Sequence, residues 1–349
     1  MPTSCVDLFC GAGGLSHGFM TRGIPVNVGI DIDPACRYPF EQNNRARFVQ
    51  CDIASLHGDE LATWYPAGDI RILAGCAPCQ PFSTYQQRAD IEHGQKWSLL
   101  REFARLVTEL RPTIVTMENV PPLQRHAIFG EFIDALHDAG YAEPWYQVVE
   151  CRNYGVPQYR RRLVLLASRL GPIEMIPPTH ELDDPRLTVR SRIGHLPALR
   201  DGDIDPYDSL HRTSQLSENN RERIRQSRPG GSWRDWDRNL VAACHRRASG
   251  KTYPSVYGRM VWDEPAPTIT TQCHAFGSGR FGHPKQDRAL SLREAAILQS
   301  FPEDYAFVAP DAPVRFKVVG RLIGNAVPVA LGSAIAESIL AHLRHHEVH

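Results

Sequence analysis

The chain has 349 residues, 42% hydrophobic and 22% charged, with 39 Lys and Arg set against 39 Asp and Glu. At roughly 100–200 residues per domain, that length suits two domains and a sizeable core, and so ordinary a composition excludes disordered, collagenous and disulfide-stapled chains. The formal net charge is zero, whereas many nucleic-acid binders are frankly basic, so a nucleic-acid partner has to be reconciled with that balance.

The N-terminus, Met1-Pro2-Thr3-Ser4-Cys5, has neither the basic nor the apolar region of a secretory signal. Apolar runs at residues 5–9, 25–30, 48–51, 70–74 and 113–117 predict buried strands, and helical periodicity falls between them at 15–21, 35–43, 99–110 and 129–139. Two further β-like runs follow at 146–150 and 163–167. Such alternation predicts an α/β fold, a Rossmann-like, doubly wound parallel sheet. From about Pro177 the chain turns rich in Pro, Gly, Asp and Arg, which predicts a smaller, loop-rich second domain over 179–311, with 1–178 and 312–349 forming the first. Helical patterns return at 292–299 and 327–346. His342, His345, His346 and His349 read as a solvated helix end rather than a metal site. No apolar run approaches the roughly 20 residues that span a bilayer. The nine cysteines, odd in number and scattered, fit reduced thiols. A soluble cytoplasmic protein is expected.

Chemistry-bearing residues gather at the predicted strand ends. The first strand runs into Asp7-Leu8-Phe9-Cys10-Gly11-Ala12-Gly13-Gly14, and glycines between strand and helix let the backbone approach a ligand. Asp31 closes the second strand at about the 20-residue spacing suited to ribose hydroxyls. Ser16 stands where a full G-x-G-x-x-G would have glycine, so the pattern indicates a nucleotide-like cofactor and does not establish a dinucleotide. The fourth strand leads into Cys76-Ala77-Pro78-Cys79-Gln80-Pro81. A zinc site would need a second ligand pair, which the sequence lacks, and a redox pair usually opens a helix. One nucleophilic thiol on a loop remains the better reading. The fifth strand carries Glu118, a costly residue at a buried strand's mouth unless partnered or functional. In open α/β sheets, ligands bind at this carboxyl edge.

These residues, together with Pro78-Cys79-Gln80, Glu118-Asn119-Val120, Gln158-Tyr159-Arg160-Arg161-Arg162, Arg293-Glu294-Ala295-Ala296, Gln299-Ser300-Phe301-Pro302 and Gly324-Asn325-Ala326-Val327, closely resemble the cytosine-5 DNA methyltransferase family, block by block and in family order. The resemblance implies S-adenosylmethionine as cofactor, a target-recognition domain, and a flipped cytosine attacked at carbon 6 by the Cys79 thiolate. Glu118 would supply a proton or hydrogen bond at ring nitrogen 3, and Arg160 and Arg162 would hold the base. Phe9, Gly11, Gly13, Gly14, Leu15, Asp31, Asp52, Ile53, Pro78, Leu99, Asn325 and Ala326 would line the cofactor site, although Asp52 reads equally as a helix N-cap. Residues 83–98 would form a loop over the flipped base. There Gln95-Lys96-Trp97 departs from the family's Asp-x-Arg-Gly pattern, leaving that loop's docking open. A monomer is expected. A cognate restriction endonuclease would fit the resemblance without contacting this chain. A tRNA cytosine-5 methyltransferase and a non-catalytic DNA-binding regulator of the same fold stay open as alternatives.

Residues 212–259 hold eleven Lys and Arg against four Asp and Glu, a net of +7 that leaves −7 elsewhere. Ten of the eleven are arginines, suited to phosphates and guanine edges. Together with residues 83–98 they are the expected contact to double-stranded DNA. The neutral average conceals a charge asymmetry.

Overall fold

The computed structural model describes residues 2–78, 98–247, 250 and 255–347. The chain divides into two compact units: Met1–Tyr154 with Arg161–Thr179 and Val327–His349, and Gly155–Arg160 with His180–Ala326. The second unit therefore takes in Gly155–Arg160 and residues 312–326, beyond the 179–311 read from composition.

In the first unit β1 (Thr3–Leu8), α1 (Gly14–Thr21), β2 (Val26–Asp31), α2 (Arg37–Asn44), β3 (Arg47–Gln50), α3 (Gly58–Ala62), β4 (Ile70–Gly75), α4 (Ser98–Leu110), β5 (Ile114–Asn119), α5 (Ala127–Asp138), β6 (Trp145–Glu150) and β7 (Arg161–Ser168) follow in order. The sheet order is β3-β2-β1-β4-β5-β7-β6. β1 to β5 pair in parallel, whereas β7 runs antiparallel to both β5 and β6. The doubly wound sheet is thus parallel over β1 to β5, as expected, and mixed at its β7-β6 end. The ten residues between β6 and β7 are fewer than the dozen or so a parallel crossover needs. β1, β4 and β5 are almost wholly buried runs, as central strands covered on both faces must be. Leu8, Leu73, Phe103, Val107, Met117, Phe132 and Leu165 meet in one core cluster.

The second unit contains α6 (Val189–Ile193), α7 (Glu218–Gln226), α8 (Ala243–Arg246), α9 (Leu292–Leu298) and α10 (Phe316–Asn325), and among its described residues only isolated bridges in place of a sheet. Trp233, Trp236, Ile224 and Phe276 form a small apolar cluster. Buried ions do much of the remaining cohesion. Arg288 and Glu294, 0% and 1% exposed, pair at 2.6 Å, and Ser291 caps α9 through a reciprocal bond with Glu294.

The last helix, α11 (Val329–Glu347), returns to the first unit and packs on α1. Gly18 permits that approach, since a Cβ there would strike the backbone of Val329, Gly332 and Ser333. The helix end is not wholly solvated, as its histidines suggested. His342 is 8% exposed, its Nε2 lies 2.7 Å from Ser168 Oγ, and burial pushes its pKa down to about 4. The stretch Phe316–His346 is long and apolar enough to cross a membrane, contrary to the expectation that no run reaches that length, yet 78% of its apolar window is buried. That is the behaviour of core helices.

Candidate active site at the carboxyl edge of the sheet

The turn after β1 is wound left-handed at three positions, Phe9 (φ 58), Gly11 (φ 54) and Gly13 (φ 88). Glycine adopts this conformation freely, while Phe9 is strained there, as residues at ligand sites often are. Asp31, at the end of the adjacent β2, accepts the Gly11 N–H at 3.0 Å on Oδ2 and the Asp33 N–H at 2.9 Å on Oδ1. The carboxylate thereby ties the two strand ends together. Nothing among the described residues lies within 4 Å of where a Gly11 Cβ would stand, so that face of the turn is open. Beneath it, Asp7 is 1% exposed and accepts a hydrogen bond from Ser16 Oγ at 2.5 Å. Burial pushes the Asp7 pKa up to about 7, against the Ser16 bond, with the Asp31 charge adding to the rise. Ser16, the departure from the dinucleotide pattern, is therefore the partner of a buried acid. Ile32, just past Asp31, is 65% exposed, an apolar surface that the sequence reading passed over.

β4 and β5 end side by side in parallel register, with Gly75 opposite Met117. Glu118 is 3% exposed. Arg162 Nε of β7 approaches its Oε1 at 2.7 Å, and Cys76 Sγ donates to its Oε2 at 3.0 Å. Asn119 Nδ2 donates to the Ala77 carbonyl at 3.1 Å, fixing the chain two residues before Cys79. Cys79 itself, with the segment through Trp97, lies outside the described residues. Pro78 is exposed, Leu15 is buried and Leu99 is half-buried at the start of α4. Asp52 is exposed and caps the short helix Ile53–Ser55 by accepting the Ala54 N–H, which favours the capping alternative. Ile53 is buried.

In the second unit Gln158 is fully buried. Its Oε1 accepts the Ile269 N–H, and its Nε2 donates to the Leu298 carbonyl and to Gln299 Oε1. Gln299 in turn donates to the Ala326 carbonyl. Arg160, 3% exposed, gives its guanidinium to the carbonyls of Ile269, Gly324 and Ala326. The sequence blocks around positions 158, 299 and 325 thus converge on one hydrogen-bonded knot. Arg160, expected to hold the base, takes a share in that knot, where a planar five-donor group suits converging carbonyls. Asn325 is exposed at the end of α10.

The basic segment is less free than its count suggested. Arg221 pairs with Asp201, Arg225 with Glu222, Arg228 with Asp235 and Arg259 with Asp287. Arg259 is also buried and donates to the Ile224, Ser227, His283 and Gln286 carbonyls. Arg223 lies over the rings of Trp236 and Tyr257. Arg238 and Arg247 are exposed and enter no ion pair among the described residues. The net of +7 must therefore be reduced as a measure of available charge, since two neutralising acids, Asp201 and Asp287, lie outside 212–259.

A family model described as C-5 cytosine-specific DNA methylase matches residues 3–341. The chain belongs to the C-5 cytosine-specific DNA methylase family. The Type II methylase M.HgiDII of Herpetosiphon aurantiacus is 52% identical over 342 residues, covering 97% of this chain and 95% of the relative. The Type II methyltransferase M1.HphI of Haemophilus parahaemolyticus is 30% identical, covering 97% and 87%. Among solved structures, a prophage-encoded DNA modification methyltransferase of E. coli shares the fold at TM-score 0.73 and 21% identity, covering 98% and 99%. The protein is a DNA (cytosine-5) methyltransferase, and its family implies a methyl donor and a DNA substrate.

Proposed function

We propose that the methylase flips a cytosine out of duplex DNA and methylates carbon 5 through a covalent adduct with Cys79. The buried Glu118 carboxylate, held by Arg162 beside the chain that leads to Cys79, carries this reading. Carbon 5 is a poor nucleophile. Formation of a bond between the Cys79 thiolate and carbon 6 pushes the ring's electrons toward nitrogen 3 and makes carbon 5 enamine-like. Glu118, in its acid form, donates a hydrogen bond to nitrogen 3, where those electrons collect, and Arg162 keeps the carboxyl aimed at it. Carbon 5 then bonds to the methyl group, a base takes the carbon-5 proton, and the carbon 6–sulfur bond breaks to return the thiolate. Extrahelical placement costs a few kcal/mol of stacking and pairing, offset by contacts to the protein.

S-adenosylmethionine is the proposed cofactor, and supplies an electrophilic methyl group when bound. The residues present suit it. Phe9, Gly11, Gly13, Gly14 and Leu15 form an open-faced turn, Asp31 offers a carboxylate for ribose hydroxyls, and Ile32 offers an apolar face for the adenine. Asp52, Ile53, Pro78, Leu99, Asn325 and Ala326 complete the proposed set. The first unit is the proposed catalytic domain and the second the target-recognition domain, with Arg238 and Arg247 as its first DNA contacts. The protein is proposed to act as a cytoplasmic monomer in a restriction-modification setting, without contacting a cognate endonuclease.

DNA carrying 5-fluorocytosine tests the chemistry, because fluorine cannot leave as the proton does and the adduct persists. The wild-type protein is expected to form a stable covalent complex and Cys79→Ser none. A covalent complex that survives in Cys79→Ser overturns the mechanism.

A further inference from the structure

The ends of β4 and β5 hold a contact that the reaction above leaves without a role. With Gly75 opposite Met117 in parallel register, the next residues, Cys76 and Glu118, are neighbours. Cys76 is half-buried, and its Sγ donates to Glu118 Oε2 at 3.0 Å. The other oxygen, Oε1, faces Arg162 Nε at 2.7 Å. Each oxygen of this buried carboxylate thus has its own side-chain neighbour: Oε1 an ion pair with Arg162 that lacks hydrogen-bond geometry, and Oε2 a hydrogen bond from Cys76. The carboxyl plane cannot turn without losing one of them.

We propose that Cys76 is a positioning residue for the methyl-transfer reaction, holding the Glu118 carboxyl in the orientation that meets the target base. Its role rests on the reading of Glu118 given above. A thiol suits the task. It is a weak donor that behaves as a small hydrophobe when buried, so it fixes the carboxylate without saturating it. The Cys76 bond occupies a lone pair of Oε2 and leaves Oε1 able to carry the O–H that would donate to nitrogen 3 of the base. Cys76 acts without touching the base and is separate from the Cys79 nucleophile.

Steady-state methylation of duplex DNA by Cys76→Ala, Cys76→Ser, Glu118→Gln and the Cys76→Ala/Glu118→Gln double variant tests this, with thermal unfolding as a check on folding. Loss of a hydrogen bond to a charged group predicts a kcat about tenfold lower in Cys76→Ala. KM for DNA should stay within about twofold, and the kcat–pH profile should shift. Cys76→Ser, which restores a donor, should recover most of the rate. In the Glu118→Gln background the alanine substitution should cost less than about twofold, since it acts through the same group. Adduct formation on 5-fluorocytosine DNA should persist in Cys76→Ala.

A Cys76→Ala enzyme with the wild-type kcat and pH profile overturns the proposal, as does an equal loss in both backgrounds. If the alanine variant does not fold, Cys76→Val, which also lacks a donor, decides: a wild-type kcat and pH profile overturns the role, and a lowered kcat with a shifted profile supports it. Full activity in Glu118→Gln would instead remove the reading of Glu118, a distinguishable failure.

Discussion

The two units of the methylase are held together by different physics. In the first, a seven-stranded sheet supplies the backbone hydrogen bonds and Leu, Val, Ile and Phe side chains fill the core. In the second, strands shrink to isolated bridges, and arginines satisfy the carbonyls that a sheet would have paired. A loop-rich unit has many buried carbonyls and few ladders, and each needs a donor. Arginine supplies five donors from one side chain. An arginine-rich segment can therefore be a scaffold before it is a binding face.

Breaking an ion pair should hurt the second unit most. Glu294→Ala leaves Arg288 buried and unpaired, which costs about 3–5 kcal/mol; urea unfolding should show it. Replacing both partners by apolar residues, Arg288→Met with Glu294→Leu, should recover most of that loss, because pairing two buried charges barely exceeds their desolvation. If the double variant is as damaged as the single, the pair is worth more than the comparison allows.

The first unit has its own polar weak point at Asp7. Its pKa lies at about 7 when folded, above the ordinary 3.8. Stability is therefore fully present below pH 3.8 and is lost as pH rises through 7. Asp7→Asn removes that titration, so the variant should gain on the wild type by on the order of 2 kcal/mol between pH 5 and pH 8. Denaturant unfolding at both values checks it, and a pH-independent difference would mean that Asp7 is ionised throughout.

The smallest effects should come from the exposed arginines. Arg238→Ala and Arg247→Ala should each weaken DNA binding several-fold and lower the slope of log affinity against log salt by about 0.9. Folding should be unaffected. Arg259→Ala should do the reverse and destabilise the second unit, because Arg259 is buried among carbonyls. A change in salt slope for Arg259→Ala that matches those two would erase the distinction between scaffold and contact.

This contrast also explains what could be read from the sequence. The strands of the first unit are short apolar runs, so β1, β2, β4 and β5 stand within a few residues of where periodicity put them, and Glu118 and Asp31 stand at their ends. The reversal of β7 carries no periodic signal, because pairing direction depends on the connection and not on the strand. α3 and α10 escaped notice: the first is five residues long, and the second carries two glycines, poor helix formers, in ten residues. The knot of Gln158, Arg160 and Gln299 joins positions about 140 residues apart, a distance no local pattern spans. The basic count misled because charge is additive along a sequence while pairing is not: Arg259 finds Asp287, and Arg221 finds Asp201. The Cys76–Glu118 contact needed the β4–β5 register, which a sequence alone does not contain.

The central claim is the proposal that the methylase modifies cytosine in DNA through a covalent Cys79 adduct, at a site chosen by the second unit. Bisulfite sequencing of DNA from cells expressing the wild type or Cys79→Ser tests it most directly. Protected cytosines at one short recurring sequence in the wild type, and none in the variant, are predicted. Protection that survives in Cys79→Ser, or protected cytosines scattered without a shared sequence, would contradict it.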